Sequence, residues 1–280
     1  MYNRLVRSIN ISGKSMSTLN NYSRCLAQMA LHFGCNVLEL DEEQILDYIH
    51  LKKTQHRTPS ESYFKHTIYG LRYVYREYNL PDRRLKLPQI ERPKKLPVVL
   101  SQEEVRLLLK TPKLLKHRLE LAMLYGCGLR SFEIRNLQIK DVDLDRSMVH
   151  IKQGKGRKDR YVPLCPMLVR GIKKYLSVEK PVGWLFNGNN REGKMVKLSA
   201  HGISWVVRET KKRSGIMKDV TSHTLRHSYA THLLEMGMDI MSLKDLLGHS
   251  CIETTLIYLH VSQLGRHKPF SPLSRLYKAI

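Results

Sequence analysis

Apolar residues recur at helical spacing through much of the chain. The first clear stretch is 17–33, where Leu19, Tyr22, Leu26, Met29, Ala30 and Phe33 fall near one helical face. Ser17 or Thr18 can cap this helix and Gly34 can end it. A second helix is expected over about 41–52, opened by Asp41 and carrying Ile45, Tyr48, Ile49 and Leu51. A third, over about 60–78, sets Tyr63, Phe64, Ile68, Leu71, Val74 and Tyr75 on its apolar face and Lys65, Arg72 and Arg76 on the other. The pattern predicts a small helical bundle.

The period is lost between 81 and 97, where Pro81, Pro88, Pro93 and Pro97 are interleaved with Arg83, Arg84, Lys86, Arg92, Lys94 and Lys95. Prolines interrupt a helix and stiffen an extended path. The stretch reads as a basic interdomain linker whose cations Arg83, Arg84, Arg92, Lys94 and Lys95 follow a phosphate backbone, or as a solvated tether. Helical spacing resumes at Ser101, which opens the capping box Ser-Gln-Glu-Glu, and continues over 113–126. Met148–Ile151 and Arg160–Pro163 read as two strands joined by a Gly- and Lys-rich turn from Gln153 to Asp159. Helices are then expected over about 166–178, 199–213, 222–236, 240–247 and 252–258. The expected fold class is mainly α with a small antiparallel β-sheet. Its expected domains are 1–92 with a linker to about 97, 98–265, and a tail over 266–280.

Charge changes the picture more than composition does. Lys and Arg number 48 against 25 Asp and Glu, a formal net charge of +23 over 280 residues. Such an excess points to a polyanion, DNA or RNA, because counterion release drives that binding. An anionic membrane surface is the rival, but there is no basic amphipathic helix beside an apolar anchor and no run of about twenty apolar residues. The first residues lack the apolar core of a signal peptide. The five cysteines are odd in number and form no CxxC pair, which fits reduced thiols and a cytoplasmic protein.

Candidate chemistry is concentrated in the last third. His223-Thr224-Leu225-Arg226, Leu247-Gly248-His249 and Tyr258 follow one another closely, with Gly128-Leu129-Arg130 and Lys155 upstream. Two arginines and a lysine can neutralise a phosphate gaining charge in a transition state, and a tyrosine can be a covalent nucleophile. Together they point to phosphoryl transfer on a nucleic-acid backbone. Each residue also has a plainer explanation. Tyr258 could be a packing residue, Arg130 a surface helix cation and Lys155 a nonspecific phosphate contact. His223 and His227 have metal-ligand spacing, but no Glu lies between them and Arg226 brings positive charge, so no metal site is expected. His227 and His232 are expected to be structural, and Met236, Met238 and Met241 to fill core.

The run from Gly126 to Ile134, containing Gly-Leu-Arg and Glu133, resembles the first arginine motif of the tyrosine recombinases, the phage integrase and Xer family. Gly154-Lys155-Gly156 through Leu164 resembles their hairpin lysine motif, and Ser222 to Leu234 their HxxR box. Leu246 to Ser250 and Thr254 to Tyr258 complete the series. The resemblance extends over nearly the whole chain. It implies a helical, SAM-like core-binding domain that clamps DNA, followed by a catalytic domain. It also implies a set of roles. Tyr258 attacks the scissile phosphate, giving a 3′-phosphotyrosyl bond and a free 5′-hydroxyl. Arg130 and Arg226 hold the non-bridging oxygens, Lys155 protonates the departing 5′-oxygen, and His223 is general base or donor. His249 donates to the phosphate and Glu133 orients a neighbouring cation or histidine. Arg157 and Lys158 are expected to contact DNA. No cofactor is implied, because the phosphotyrosyl bond retains the energy for resealing. The expected partner is double-stranded DNA, bound by a homo-tetramer that is monomeric when free.

The tail after Tyr258, with Ser271-Pro272-Leu273, is similar to tails in recombinases of mobile elements, and its apolar residues are expected to dock on a neighbouring protomer. This favours DNA integration or transposition over Xer-like chromosome or plasmid dimer resolution. A type IB topoisomerase-like relaxing enzyme and a non-catalytic DNA-binding factor are the remaining alternatives.

Overall fold

In a computed structural model the chain forms two compact units, Met1–Lys94 and Lys95–Ile280. The structure describes residues 1–55, 59–86, 96–152, 159–189 and 192–262.

The first unit is helical: α1 (Tyr2–Ile11), α2 (Met16–Phe33), α3 (Glu42–Thr54), α4 (Glu61–Glu77) and α5 (Pro81–Lys86). The expected apolar faces of α2, α3 and α4 meet in one core containing Leu19, Leu26, Met29, Ile45, Ile68, Leu71 and Val74. Leu51 departs from this pattern and is exposed. The tyrosines Tyr48 and Tyr63 satisfy one another inside it, their hydroxyls 2.6 Å apart. The cap of α2 is Ser15, whose Oγ accepts from Thr18 N at 3.2 Å, earlier than the expected Ser17 or Thr18. Asp41 and Gln44 form a reciprocal capping box on α3.

Two features depart from the sequence expectation. α1 was not expected, yet Leu5 and Ile9, one turn apart, are buried in the core. It begins without a side-chain cap or a first-turn acid, so nothing but periodicity marks it. The proline-rich stretch is also not extended from its start, because 81–86 is helical. Pro81 occupies the first helical position, where its missing N–H has no intrahelical partner to lose.

The second unit contains α6 (Gln102–Lys110), α7 (Leu115–Gly126), α8 (Ser131–Asn136), α9 (Pro166–Glu179), α10 (Gly202–Ser214), α11 (Ser222–Glu235), α12 (Ile240–Leu247) and α13 (Glu253–Leu256). Helix α7 packs against both α9 and α11, and its Leu121, Met123 and Leu124 are fully buried. Three antiparallel strands lie in the order β1 (Val142–Asp143), β2 (Met148–Ile151), β3 (Arg160–Pro163), with His150 opposite Tyr161. A separate hairpin pairs β4 (Asn187–Asn189) with β5 (Met195–Lys197). The β2–β3 pair matches the expected strands, while β1, α8 and the β4–β5 hairpin are additions. The last helix is shorter than expected: α13 stops at Leu256, and Tyr258 lies in the turns that follow, its N–H donating to Thr255 O at 3.0 Å.

Candidate active site

Arg130 leads into α8, and its position is set by Glu133 one turn on. Glu133 Oε2 accepts from the Arg130 backbone N–H at 2.8 Å, and Oε1 accepts from Arg130 Nη1 at 2.9 Å. The same carboxylate receives a two-pronged bond from Arg160 on β3, Nη1 to Oε1 and Nη2 to Oε2, both 2.9 Å. Arg226 Nη1 lies 4.0 Å from Oε2. Burial alone would raise the Glu133 carboxyl, but the hydrogen bonds and charges of Arg160 and Arg130 outweigh it and hold the group below its usual range.

Arg226 is buried on α11 and reaches across the unit. Nη1 donates to Gly128 O, and Nη2 donates to Leu247 O at 2.6 Å and meets His249 Nε2 at 3.2 Å. Guanidinium groups only donate, so His249 Nε2 is the acceptor and its Nδ1 carries the proton. That proton faces Thr255 Oγ1 at 2.9 Å. The expected donation from His249 to a phosphate therefore requires Nε2 to exchange partner and gain a proton. Burial, then the charge of Arg130, lowers the Arg226 guanidinium to about 10, still charged at neutral pH.

Gly128 makes the Arg226 contact possible. Its φ is +59°, and a Cβ there would stand 2.5 Å from the Tyr229 ring. Gly248 does the same between α12 and His249: φ is +63°, and a Cβ would crowd the Arg160 side chain at 3.1 Å.

Tyr258 is 2% exposed. Its hydroxyl lies 3.0 Å from His227 Nδ1, and its ring lies nearly parallel to that of His249, centroids 6.4 Å apart. Burial raises the phenol, with Arg226 and Arg130 pulling the other way. Burial, then His223 and Arg226, pushes His227 down to about 4, so this imidazole is neutral at physiological pH and can accept a hydrogen bond from the phenol, though it is too weak a base to take its proton. His223, on the first turn of α11, is also held below its ordinary value by desolvation of its ring and by the charges of Arg226 and Arg130. Its ring centroid is 6.1 Å from that of His227.

The structure thus gathers Arg130, Glu133, His223, Arg226, His249 and Tyr258. It adds three residues to them. Arg160 shares the inward face of β3 with buried Val162, and an arginine on a core face needs a carboxylate; that alternation is its signal. His227, expected to be structural, touches the Tyr258 hydroxyl, and it shares a helix face with His223. Thr255 has no signal beyond its place three residues before Tyr258. Lys155, Arg157 and Lys158 lie outside the described residues, as do Arg92, Lys94 and Lys95, the side chain of Arg84, and the tail. Arg83 sits on α5, where its Nη1 donates to Leu38 O at 2.5 Å and Leu40 O at 3.3 Å. Its guanidinium serves the first unit's own backbone, not the open linker expected of it. His232 Nδ1 lies 2.9 Å from the Tyr125 hydroxyl, a core contact. Among the described residues no group of three His, Cys, Asp or Glu side chains is placed to hold a metal ion.

On the first unit, Arg4, Arg7, Tyr73 and Arg76 line an open groove of about 890 Å³. Arg76 lies over the Tyr73 ring at 4.6 Å and Arg4 over Tyr78 at 4.3 Å.

Cations converging on a buried phenol define a class of protein, and sequence comparison agrees with it. The profile of the phage integrase family matches residues 98–264, and the chain belongs to that family, the tyrosine recombinases. The tyrosine recombinase XerA of Thermococcus onnurineus is 36% identical, over 91% of this chain and 88% of its own length. A putative integrase/recombinase of Sinorhizobium fredii is 34% identical, over 97% of this chain and 89% of its own. The crystal structure of XerH site-specific recombinase bound to a palindromic difH substrate, a post-cleavage complex, aligns with a TM-score of 0.71. It covers 98% of this chain and 81% of that one at 21% identity, a likeness of fold.

Proposed function

We propose that this tyrosine recombinase exchanges strands between specific sites on duplex DNA, with Tyr258 as its nucleophile. The Tyr258 oxygen bonds to phosphorus as the P–O5′ bond breaks, leaving a 3′-phosphotyrosyl link and a free 5′-hydroxyl. Arg130 and Arg226 hold the non-bridging oxygens as charge builds on them. Lys155 delivers a proton to the 5′-oxygen, and His223 accepts one or donates to the phosphate. Reversal onto a new 5′-hydroxyl reseals the strand. The observation that carries this reading is the convergence of Arg226, held by Gly128 O and Leu247 O, on the His249 and Tyr258 side chains.

The charge of +23 supports DNA as the partner, and the arginine-lined groove of the first unit supplies a surface for its backbone. Strand exchange joins two duplexes through four cleavages, so one tyrosine per strand makes the working unit a tetramer. Self-repulsion favours a monomer in the absence of DNA. The tail over 266–280 docks on the neighbouring protomer, and the biological setting is integration or transposition in the cytoplasm.

The test is to trap the covalent complex from a library of duplexes, sequence the attached DNA, and ask whether the protein joins two duplexes carrying that sequence. Relaxation of supercoils without joining would make it a topoisomerase-like enzyme. DNA binding without an adduct would make it a non-catalytic factor.

A further inference from the structure

We infer that Arg160 is a positioning residue of the cleavage reaction: it restores the positive charge that Glu133 takes from the phosphate-binding arginines, and it locks three separate segments into one site. The inference rests on the reading of Arg130 and Arg226 as phosphate ligands.

Glu133 serves two opposed ends. A carboxylate is the natural device for holding Arg130 in one rotamer, and Glu133 does so through both the backbone N–H and Nη1. The same carboxylate also cancels one unit of the charge that a phosphate needs. Arg160 resolves this. Its guanidinium takes both oxygens of Glu133 at 2.9 Å, so three guanidinium groups surround one carboxylate and two net positive charges remain. An entering phosphodiester, with one negative charge, leaves the cluster positive. The extra negative charge that the attacking oxygen brings onto the non-bridging oxygens in the transition state then brings it to neutrality.

Position supports the same role. The Arg160 side chain is 9% exposed, and both of its terminal nitrogens are turned to Glu133. Its remaining donor, Nε, goes to Leu246 O at 3.0 Å, three residues before His249. Its stem lies against Gly248, where a Cβ would stand 3.1 Å from it and crowd it. One side chain on β3 therefore fixes the start of α8, which Arg130 leads into, and the end of α12, two residues before His249. A lysine cannot replace it, having neither the planar fork nor the extra Nε donor.

The test uses the full chain and a nicked duplex of the sequence recovered from the wild-type adduct, so that cleavage is trapped in a single turnover at saturating protein, well below the melting temperature. Arg160→Ala should cleave at least 30-fold more slowly, with DNA affinity changed by less than 3-fold. Adding Glu133→Gln removes the uncompensated negative charge, so the Arg160→Ala/Glu133→Gln double variant should cleave at least 5-fold faster than Arg160→Ala alone. Removing the uncompensated carboxylate also restores stability, so the recovery is read only between variants whose melting temperatures show both to be fully folded at the assay temperature. Arg160→Lys, which retains the charge, covers the case of an unstable alanine variant: it should fold, bind normally and cleave at least 10-fold more slowly. The inference is overturned if Arg160→Ala or Arg160→Lys cleaves within 3-fold of wild type, or if the double variant is no faster than Arg160→Ala. A wild-type chain that forms no adduct overturns the recombinase reading first.

Discussion

In the first unit Arg4 and Arg76 lie over tyrosine rings at the surface, Arg4 donating to Glu77 O and Arg76 lying 3.6 Å from the Glu77 carboxylate while keeping 53% of its side chain exposed. In the second, the Arg226 side chain is 3% exposed, and two carbonyls and an imidazole hold it. An exposed guanidinium is cheap to place and free to follow whatever phosphate arrives. A buried one must be offset by partners in good geometry, and removing a partner leaves a costly charge. The second unit accepts that cost and leaves its cluster with a surplus of positive charge. Such a surplus is poor design for stability alone. It is what a site needs when its missing partner is an anion whose charge grows during reaction. On the proposed function the first unit supplies affinity and the second supplies chemistry, and substitutions should separate them.

The largest separation should come from Tyr258→Phe. Only an oxygen is lost, from a side chain that the fold buries, so DNA affinity should stay within a few-fold of wild type while covalent adducts disappear. A native gel shift reads the affinity and a denaturing gel the adduct, and an adduct surviving in the Phe variant would sink the assignment. Next, Arg130→Ala or Arg226→Ala should raise the cleavage barrier by about 3–4 kcal/mol, the usual loss for a preorganised transition-state donor. DNA affinity should fall far less, because the other cations remain. Equal loss of cleavage and affinity would make these arginines ordinary backbone contacts, no different from those of the first unit.

Two buried carboxylates of the second unit extend the comparison. Glu133 lies among three guanidinium groups, whereas Glu120 on α7 is 1% exposed and neither of its oxygens has a hydrogen-bond partner among the described residues. Burial pushes Glu120 up to about 7, with Lys116 opposing. Its folded pKa is raised above the unfolded one, so the folded state binds the extra proton. Stability is then greatest below about 4.5 and falls as pH rises towards 7. Glu120→Gln should remove that fall, stabilising the protein at pH 8 by at most about 3 kcal/mol and hardly at all at pH 4.5. Urea unfolding at the two pH values measures it, and an equal effect at both would show that Glu120 ionises without penalty.

Much of this was legible in the chain, and the failures have physical causes. Long amphipathic helices such as α2 and α4 announce themselves, because Leu19, Leu26, Ile68 and Leu71 repeat on one face. Helix α8 does not, since six residues from Ser131 to Asn136 hold less than two turns of pattern. Strand β4 reads Asn-Gly-Asn, the composition of a turn, and only pairing with β5 makes it a strand. The site shows the same split. Arg130, His223, Arg226, His249 and Tyr258 stand in motifs whose residue types suit the chemistry. Glu133, which holds Arg130, is legible in the same motif, but its second partner Arg160 is missed because the salt bridge between them spans 27 positions. His227 was hidden differently: an imidazole beside a more conspicuous His-x-x-Arg reads as structural until the Tyr258 hydroxyl is found against it.

The smallest effect separates the two kinds of surface cation. The groove arginines Arg7 and Arg76 and the linker cations Arg92, Lys94 and Lys95 are rival ways to neutralise phosphates, and each contact made contributes about one unit to the slope of log affinity against log salt. Replacing Arg7 and Arg76 with alanine should flatten that slope by about two units, and neutralising the three linker cations by about two to three. Arg83 is the internal control. Its guanidinium is already given to Leu38 O and Leu40 O, so Arg83→Ala should lower the melting temperature of the first unit while leaving the slope almost unchanged. In all three variants cleavage per bound protein should equal that of wild type, since none of these cations belongs to the buried cluster. Binding titrations at four or five salt concentrations, paired with single-turnover cleavage at saturation, give both quantities. A cleavage defect in the groove variant, at saturating DNA, would show that the first unit shapes the chemistry as well as the affinity, and the division of labour drawn above would fail.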